Sequence, residues 1–158
     1  MIPASSKVFI SYRREDSGGY AGRIYDRLSS RLGSQAVFFD FEIPIGANLV
    51  TAIEENVAQA KVLVAIIGPN WLKARDAEGK RRLNDPDDFV RLEINAALHR
   101  NIPVIPVLVD GASPPRVEEL PDDLKILARR QSIEVSHSRF DSDMERLSQS
   151  IRARIELE

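Results

Sequence analysis

Glu93 and the aromatic residue Phe89 are spaced four positions apart in the segment DPDDFVRLEINAALHR, which spans residues 85–100. The segment predicts a helix that is capped by Asp85 and begins at Pro86, because aspartate is a good N-cap and proline suits the first helical position. Residues four apart lie one above the other on a helix surface. Glu93 is therefore either an ordinary solvated glutamate or a carboxylate held beside an aromatic ring for a chemical purpose.

Five short apolar segments predict the strands that would position this helix. The third and fourth are nearly continuous in valine, isoleucine and leucine, which is typical of strands covered on both faces and hence of a parallel sheet. Helical patterns lie between the segments, so we expect right-handed crossovers and a doubly wound α/β fold with strand order 2-1-3-4-5. The strands are predicted at 7–12, 36–40, 61–68, 102–110 and 132–135, and the helices at 17–33, 48–60, 85–100, 121–130 and 140–156.

Apolar residues at helical spacing predict the buried face of each of the first three helices. The first helix is expected to end at Gly33, because glycine is a common helix stop. The predicted buried residues are Tyr20, Ile24, Leu28 and Leu32 in the first helix, Leu49, Ile53, Val57 and Ala60 in the second, and Val90, Ile94, Ala97 and Leu98 in the third.

The glycine-containing segment SYRREDSGG, residues 11–19, lies where such folds bind ligands, beyond the first strand and beside the third. It matches neither the G-x-G-x-x-G dinucleotide fingerprint nor a P-loop. Asp16 or Ser17 is expected to cap the first helix, whose free N–H groups could receive a phosphate, with Arg13 and Arg14 adding positive charge. The alternative interpretation is a flexible glycine turn with solvated arginines.

The loop DFEIPIGAN, residues 40–48, follows the second strand and has an apolar tip. Asp40 ends the strand and either points at the crevice or caps the turn, and Gly46 permits a tight turn before the second helix. Apolar loop tips are unusual unless something covers them. The cover for Ile43, Pro44 and Ile45 could be a ligand, a partner chain or the protein's own surface.

Composition excludes several classes of function. The chain has 158 residues, which fits one domain, and its net charge of −2 gives no strong general attraction to nucleic acid or to an anionic membrane. It has no cysteine, so disulfides, thiolate metal sites and a cysteine nucleophile are excluded. The two histidines, His99 and His137, are interpreted as surface residues, and helix capping explains the cluster of Asp85, Asp87 and Asp88 better than a cation does. No metal site is predicted.

Three motifs in order, KVFISYRRED, FFDFEIPIGANL and DDFVRLEINAAL, resemble the Toll/interleukin receptor (TIR) domain family in its bacterial form. The resemblance covers nearly the whole chain from Lys7 onward. It implies a flavodoxin-like five-stranded parallel sheet and a TIR domain over residues 7–156. Residues 1–6 are expected to form a disordered leader, and residues 157–158 are interpreted as a cloning remnant.

The resemblance also implies site residues. Some family members are scaffolds that assemble through TIR–TIR contacts, and others cleave NAD+ at the nicotinamide–ribose bond. The enzymatic members carry an essential glutamate in an aromatic-x-x-x-Glu pattern. Glu93 occupies that position as the catalytic residue, and Phe89 stands where the aromatic is usually tryptophan. The remaining residues implied are Ser11, Tyr12, Arg13 and Arg14 near the nucleotide, Asp40 and Gly46 beside its nicotinamide end, and Ile43, Pro44 and Ile45 as an oligomer contact.

We therefore expect a cytoplasmic enzyme that consumes NAD+, yields nicotinamide with ADP-ribose or a cyclic ADP-ribose isomer, and serves as an effector in bacterial antiphage defence. NAD+ is the substrate, so no cofactor is expected. The expected partners are NAD+ and further copies of the domain, with a further domain or effector protein left open, and neither nucleic acid nor membrane is contacted. The alternatives are a non-enzymatic TIR scaffold, which would not need Glu93, and a deoxyribosyltransferase-like enzyme that prefers free nucleosides.

Overall fold

A five-stranded parallel sheet forms the centre of the molecule, in a computed structural model that describes residues 5–39 and 41–156. The strand order is β2-β1-β3-β4-β5, and each neighbouring pair is parallel. This confirms the predicted fold class and strand order. The strands are β1 (Lys7–Ser11), β2 (Val37–Phe38), β3 (Ala60–Ile67), β4 (Val104–Val109) and β5 (Ile133–Val135).

Four α-helices cover the two faces of the sheet. They are α1 (Arg14–Leu32), α2 (Leu49–Val57), α3 (Phe89–His99) and α4 (Phe140–Glu156), with short 3₁₀ helices at Arg82–Asn84 and Val117–Glu119. The helix predicted at 121–130 is a 3₁₀ helix over Asp122–Arg129. Its buried residues, Leu124 and Leu127, are three apart, and residues at that spacing share one side of a 3₁₀ helix.

The strands are buried on both faces, so two separate apolar cores form. One core lies under α1 and α4 and the other under α2 and α3. Along β1, Val8 and Ile10 face the first core and Phe9 faces the second, as the alternation of strand side chains requires. Ser11, the next residue on the Phe9 side, therefore points toward α3.

The start of α3 differs from the sequence prediction. The helix begins at Phe89 and its N-cap is Asp88, whose carboxylate accepts the Arg91 N–H at 3.1 Å. The prediction that Asp85 caps the helix was wrong, because the Asp85 carboxylate accepts the Asp87 N–H at 2.9 Å in the turn before the helix. As a result Phe89 lies at the first helical position and Glu93 one turn inside.

The predicted buried faces are otherwise confirmed, with three exceptions. Tyr20 is only half-buried against the core under α1 and α4, Ala60 is buried as the first residue of β3 and not on α2, and Leu49 is exposed. Leu49 was predicted to be buried and is 43% exposed, at the first position of α2. No helix among residues 5–39 and 41–156 is long and apolar enough to cross a bilayer. The predictions for residues 1–4, Asp40 and residues 157–158 fall outside the described residues.

Candidate active site

Glu93 meets Ser11 at the carboxyl edge of the sheet. Ser11 is the last residue of β1 and is 2% exposed, and its Oγ donates a hydrogen bond of 2.9 Å to Oε1 of Glu93. Glu93 itself is half-buried. Strand order reverses between β1 and β3, which is where doubly wound folds place their ligands. The carboxylate singled out by its spacing therefore lies at the expected edge of the sheet.

An open cleft of about 420 Å³ lies between the segment after β1 and the start of α3. Phe89 lines the cleft and is 47% exposed, so a large part of its ring is accessible. Tyr12 lines the opposite wall, and its ring packs against Phe39 with centroids 5.6 Å apart. The cleft thus offers aromatic surface one turn away from Glu93.

Three arginines, Arg13, Arg14 and Arg82, line this cleft together with five acidic residues. Arg14 is exposed at the first position of α1, and Arg82 pairs with Glu15 at 3.1 Å across the cleft. Arginine binds phosphate groups through paired N–H donors, so these two residues are the side chains best placed to hold an anionic group. Arg82 was not predicted as a site residue, because its segment approaches Arg14 only in the folded chain.

Arg13 lies deeper than its sequence interpretation suggested. Its two terminal nitrogens donate hydrogen bonds of 2.9 Å to the two carboxylate oxygens of Asp88. The side chains are 3% and 7% exposed, so this is a buried bidentate pair. The guanidinium is committed to the N-cap of α3, and a direct contact between Arg13 and a nucleotide stays a prediction.

Asp16 ties the segment after β1 to the segment after β3. Its carboxylate accepts the backbone N–H groups of Gly68 at 2.8 Å and Asn70 at 2.7 Å. The prediction that Asp16 or Ser17 caps α1 was wrong for both residues. Asp16 is used across the sheet edge, and Ser17 forms a kink in α1 (φ −143°, ψ 27°) with its Oγ buried and without a hydrogen-bond partner among the described residues.

Gly68 is required at the Asp16 contact. A Cβ added at residue 68 would lie 2.6 Å and 2.7 Å from the two Asp16 carboxylate oxygens. We expect Gly68→Ala to lower the free energy of unfolding by about 1–3 kcal/mol, as overpacking does, measured by urea denaturation.

Gly19→Ala is the matched control, because a Cβ there meets nothing within 4 Å on a helical residue. It is expected to raise stability by about 0.5–1 kcal/mol. Equal stability of the two alanine variants would contradict the role given to the Asp16 contact.

The loop after β2 divides its apolar tip between the core and solvent. Gly46 has φ 86°, which favours glycine, and the Ala47 N–H closes the turn on the Pro44 carbonyl at 3.0 Å. Ile43 packs against the core under α2 and α3, whereas Ile45 is fully exposed. With Leu49 and Val50 also exposed, residues 44–50 present several accessible apolar side chains, and we call this stretch the 44–50 segment. Asp40 lies outside the described residues.

Comparisons with known proteins identify the family of this chain. The sequence model of a family described as "TIR domain" matches residues 8–148. An NAD(+) hydrolase sarm1 of Drosophila melanogaster is 29% identical over 161 residues, covering 96% of this chain and 11% of the relative's length. The chain therefore spans about a ninth of that relative.

Solved structures share the fold at low identity. The TIR domains of the activated Roq1 resistosome, which directly recognises the pathogen effector XopQ, match with a TM-score of 0.61 at 13% identity, covering 96% of this chain and 99% of theirs. A metazoan TIR-STING receptor from C. gigas, solved with 2',3'-cGAMP, matches with a TM-score of 0.57 at 19% identity, covering 94% of this chain and 41% of the receptor chain.

Proposed function

The chain belongs to the TIR domain family, and on that basis we propose that it cleaves NAD+ at the nicotinamide–ribose bond, with Glu93 as the catalytic residue. One observation carries the proposal: the Glu93 carboxylate is fixed by Ser11 at the ligand-binding edge of the sheet, one turn after the exposed ring of Phe89. The similarity to an NAD(+) hydrolase supports it.

The chemistry suits a single carboxylate. Nicotinamide leaves NAD+ as a neutral molecule from a cationic group, so its departure needs no proton. Breaking the bond places positive charge on the ribose, and a fixed carboxylate stabilises that charge as it develops. Most glycosidases need a second carboxylate, because their leaving group must be protonated. Attack by water gives ADP-ribose, and attack by a group of the same molecule gives a cyclic isomer.

The cleft supplies groups for the rest of the substrate. In this proposal Arg14 and Arg82 would hold the pyrophosphate, and the exposed ring of Phe89 would stack on an aromatic ring of NAD+. Tyr12 lines the wall across from Phe89 and would limit the position of the nucleotide. NAD+ is the substrate in this scheme, and no further cofactor takes part.

Incubation with NAD+ followed by chromatography tests the proposal. Release of nicotinamide, with a second peak that separates linear from cyclic ADP-ribose, is the expected result. Absence of nicotinamide at high protein concentration would favour the scaffold alternative. Preferential cleavage of free nucleosides would favour a deoxyribosyltransferase-like enzyme. By analogy with the family, we place this activity in a cytoplasmic effector of antiphage defence, an assignment that rests on the family and not on individual residues.

Self-association is the proposed control of activity. The 44–50 segment exposes Ile45 fully and Leu49 and Val50 by 43% and 38%, and a neighbouring copy of the domain would cover these side chains. Exposed apolar runs of this kind mark interaction surfaces. Specific activity is therefore expected to rise with protein concentration or with a crowding agent.

Ile45→Asp is expected to abolish this rise and to lower specific activity at high concentration about tenfold or more, because a charge replaces the most exposed apolar side chain of the segment. Ile126→Asp is the matched control, since Ile126 is 56% exposed on a different element. Activity and size-exclusion profiles are measured on both. Concentration-independent activity of the monomeric wild-type protein would contradict control by assembly.

A further inference from the structure

Ser11 was predicted to contact the substrate, but its environment gives it a different partner. Only 2% of the residue is exposed, and its hydroxyl donates to Glu93 Oε1 at 2.9 Å. A side chain this buried has little surface to offer a ligand. What it contacts is the carboxylate that we propose as catalytic.

The position of the Ser11 donor is fixed by the sheet. Ser11 pairs in register with Ala65 of β3, so β1 is hydrogen-bonded at this residue to the centre of the sheet. Its Oγ faces the α3 side because it follows the alternation set by Phe9. A donor on a rigid strand restricts the acceptor more than a donor on a mobile loop would.

The position of the Glu93 acceptor is fixed by a second link between the same two elements. Arg13, two residues after Ser11, holds both carboxylate oxygens of Asp88, the N-cap of α3. The Arg13–Asp88 pair sets where α3 begins, and the Ser11–Glu93 hydrogen bond is formed five residues later. Two contacts at different points along a helix fix its rotation as well as its distance from β1.

The orientation of the Glu93 carboxylate depends on its side-chain contacts, of which the Ser11 hydrogen bond is one. Glutamate has three rotatable bonds, and a half-buried glutamate without a fixed contact would exchange between rotamers. Stabilising charge that develops on a ribose requires the carboxylate to be in place before the bond breaks. A hydrogen bond to Oε1 fixes one end of the carboxylate and so limits its orientation.

We propose that Ser11 is a positioning residue that orients the Glu93 carboxylate for NAD+ cleavage and does not itself contact the substrate. This inference rests on the proposed function. An interaction used only when charge develops in the transition state alters kcat more than KM. Loss of the Ser11 hydroxyl should therefore slow the chemical step and leave substrate binding nearly unchanged.

The test compares Ser11→Ala with Ser11→Thr, which retains a hydroxyl on a strand-favouring side chain. Ser11→Ala is expected to lower kcat for nicotinamide release about tenfold or more, with KM within about twofold of wild type. Ser11→Thr is expected to recover most of the loss. Ser148→Ala is the matched control, because Ser148 is 1% exposed with no hydrogen-bond partner for its Oγ among the described residues, and wild-type kcat is expected.

A double-mutant cycle with Glu93→Gln separates positioning from substrate contact. If Ser11 acts through Glu93, adding Ser11→Ala to Glu93→Gln lowers the residual rate no further than about twofold. A full additional loss in that background, or a rise in KM for Ser11→Ala, would overturn the inference. So would wild-type kcat for Ser11→Ala in a protein that releases nicotinamide. A wild-type protein that releases none refutes the proposed function itself, which makes the two failures distinguishable.

Discussion

Glu93→Gln is expected to lower the rate of nicotinamide release from NAD+ by about 100-fold or more while the domain stays folded. Glutamine keeps the shape of the side chain and an oxygen that can accept from Ser11 Oγ, which lies 2.9 Å from Glu93 Oε1. It removes the negative charge that would stabilise the ribose cation. Losing one electrostatic contact to a developing charge typically costs about 10²–10³ in kcat.

The measurement is single-substrate kinetics with chromatographic detection of nicotinamide, beside a thermal unfolding curve for each protein. Glu118→Gln is the control for the loss of one carboxylate. The Glu118 side chain is 70% exposed in the 3₁₀ helix Val117–Glu119 and does not line the cleft. It is expected to keep the wild-type rate. Full turnover by folded Glu93→Gln would refute the catalytic assignment.

Asp88→Ala is expected to have the largest effect on stability, lowering the free energy of unfolding by about 3–5 kcal/mol. The substitution leaves the Arg13 guanidinium, which is 3% exposed, buried without its carboxylate partner. It also removes the N-cap of α3, which normally adds about 1 kcal/mol. Urea denaturation measures the change, and activity should fall with it because α3 carries Glu93.

Two further variants separate the charge from the cap. Asp88→Asn keeps a capping oxygen and loses the negative charge, so it is expected to fall between wild type and Asp88→Ala. Glu78→Ala breaks an exposed pair with Lys80 at 3.9 Å and should leave the unfolding midpoint unchanged. A change of less than about 1 kcal/mol for Asp88→Ala would show that the buried pair does not hold α3.

The sheet could be predicted from the sequence because its information is local. Strands buried on both faces have nearly continuous apolar sequences. All five apolar segments form strands, and their order in the sheet is the predicted one. The end of α1 at Leu32, before Gly33, and the start of α4 at Phe140 were also predicted correctly, whereas α1 begins at Arg14, three residues before its predicted start. Each of these elements is specified by residues within a few positions of it.

The N-caps of α1 and α3 could not be predicted, because several aspartates lie near each helix start. Which aspartate becomes the cap depends on contacts with residues that are distant in the sequence. Asp88 caps α3 in place of Asp85 since Arg13, 75 positions earlier, is placed to pair with it. Asp16 does not cap α1, because its carboxylate accepts the N–H groups of Gly68 and Asn70 across the sheet edge. These contacts exist only after the sheet has brought separate segments together.

Part of the candidate site was accessible from the pattern alone. The spacing of Phe89 and Glu93 identified the helix face, and the alternation along β1 places Ser11 on the same side as Phe9, toward that helix. That alternation was the overlooked signal that Ser11 meets Glu93. No local pattern indicated Arg82, because it lies in the long segment between β3 and α3, whose path to the cleft cannot be read from neighbouring residues.

The Asp16 contact has a consequence for how a ligand can reach the candidate site. Two backbone amides that follow β3, close to the point where strand order reverses and this architecture binds ligands, are already hydrogen-bonded to the Asp16 carboxylate. A phosphate could bind these two amides only by displacing the Asp16 carboxylate. We therefore expect a ligand of Glu93 to approach on the side that faces α3, where Ser11 contacts Glu93, and a bulky substitution on that side to hinder its binding.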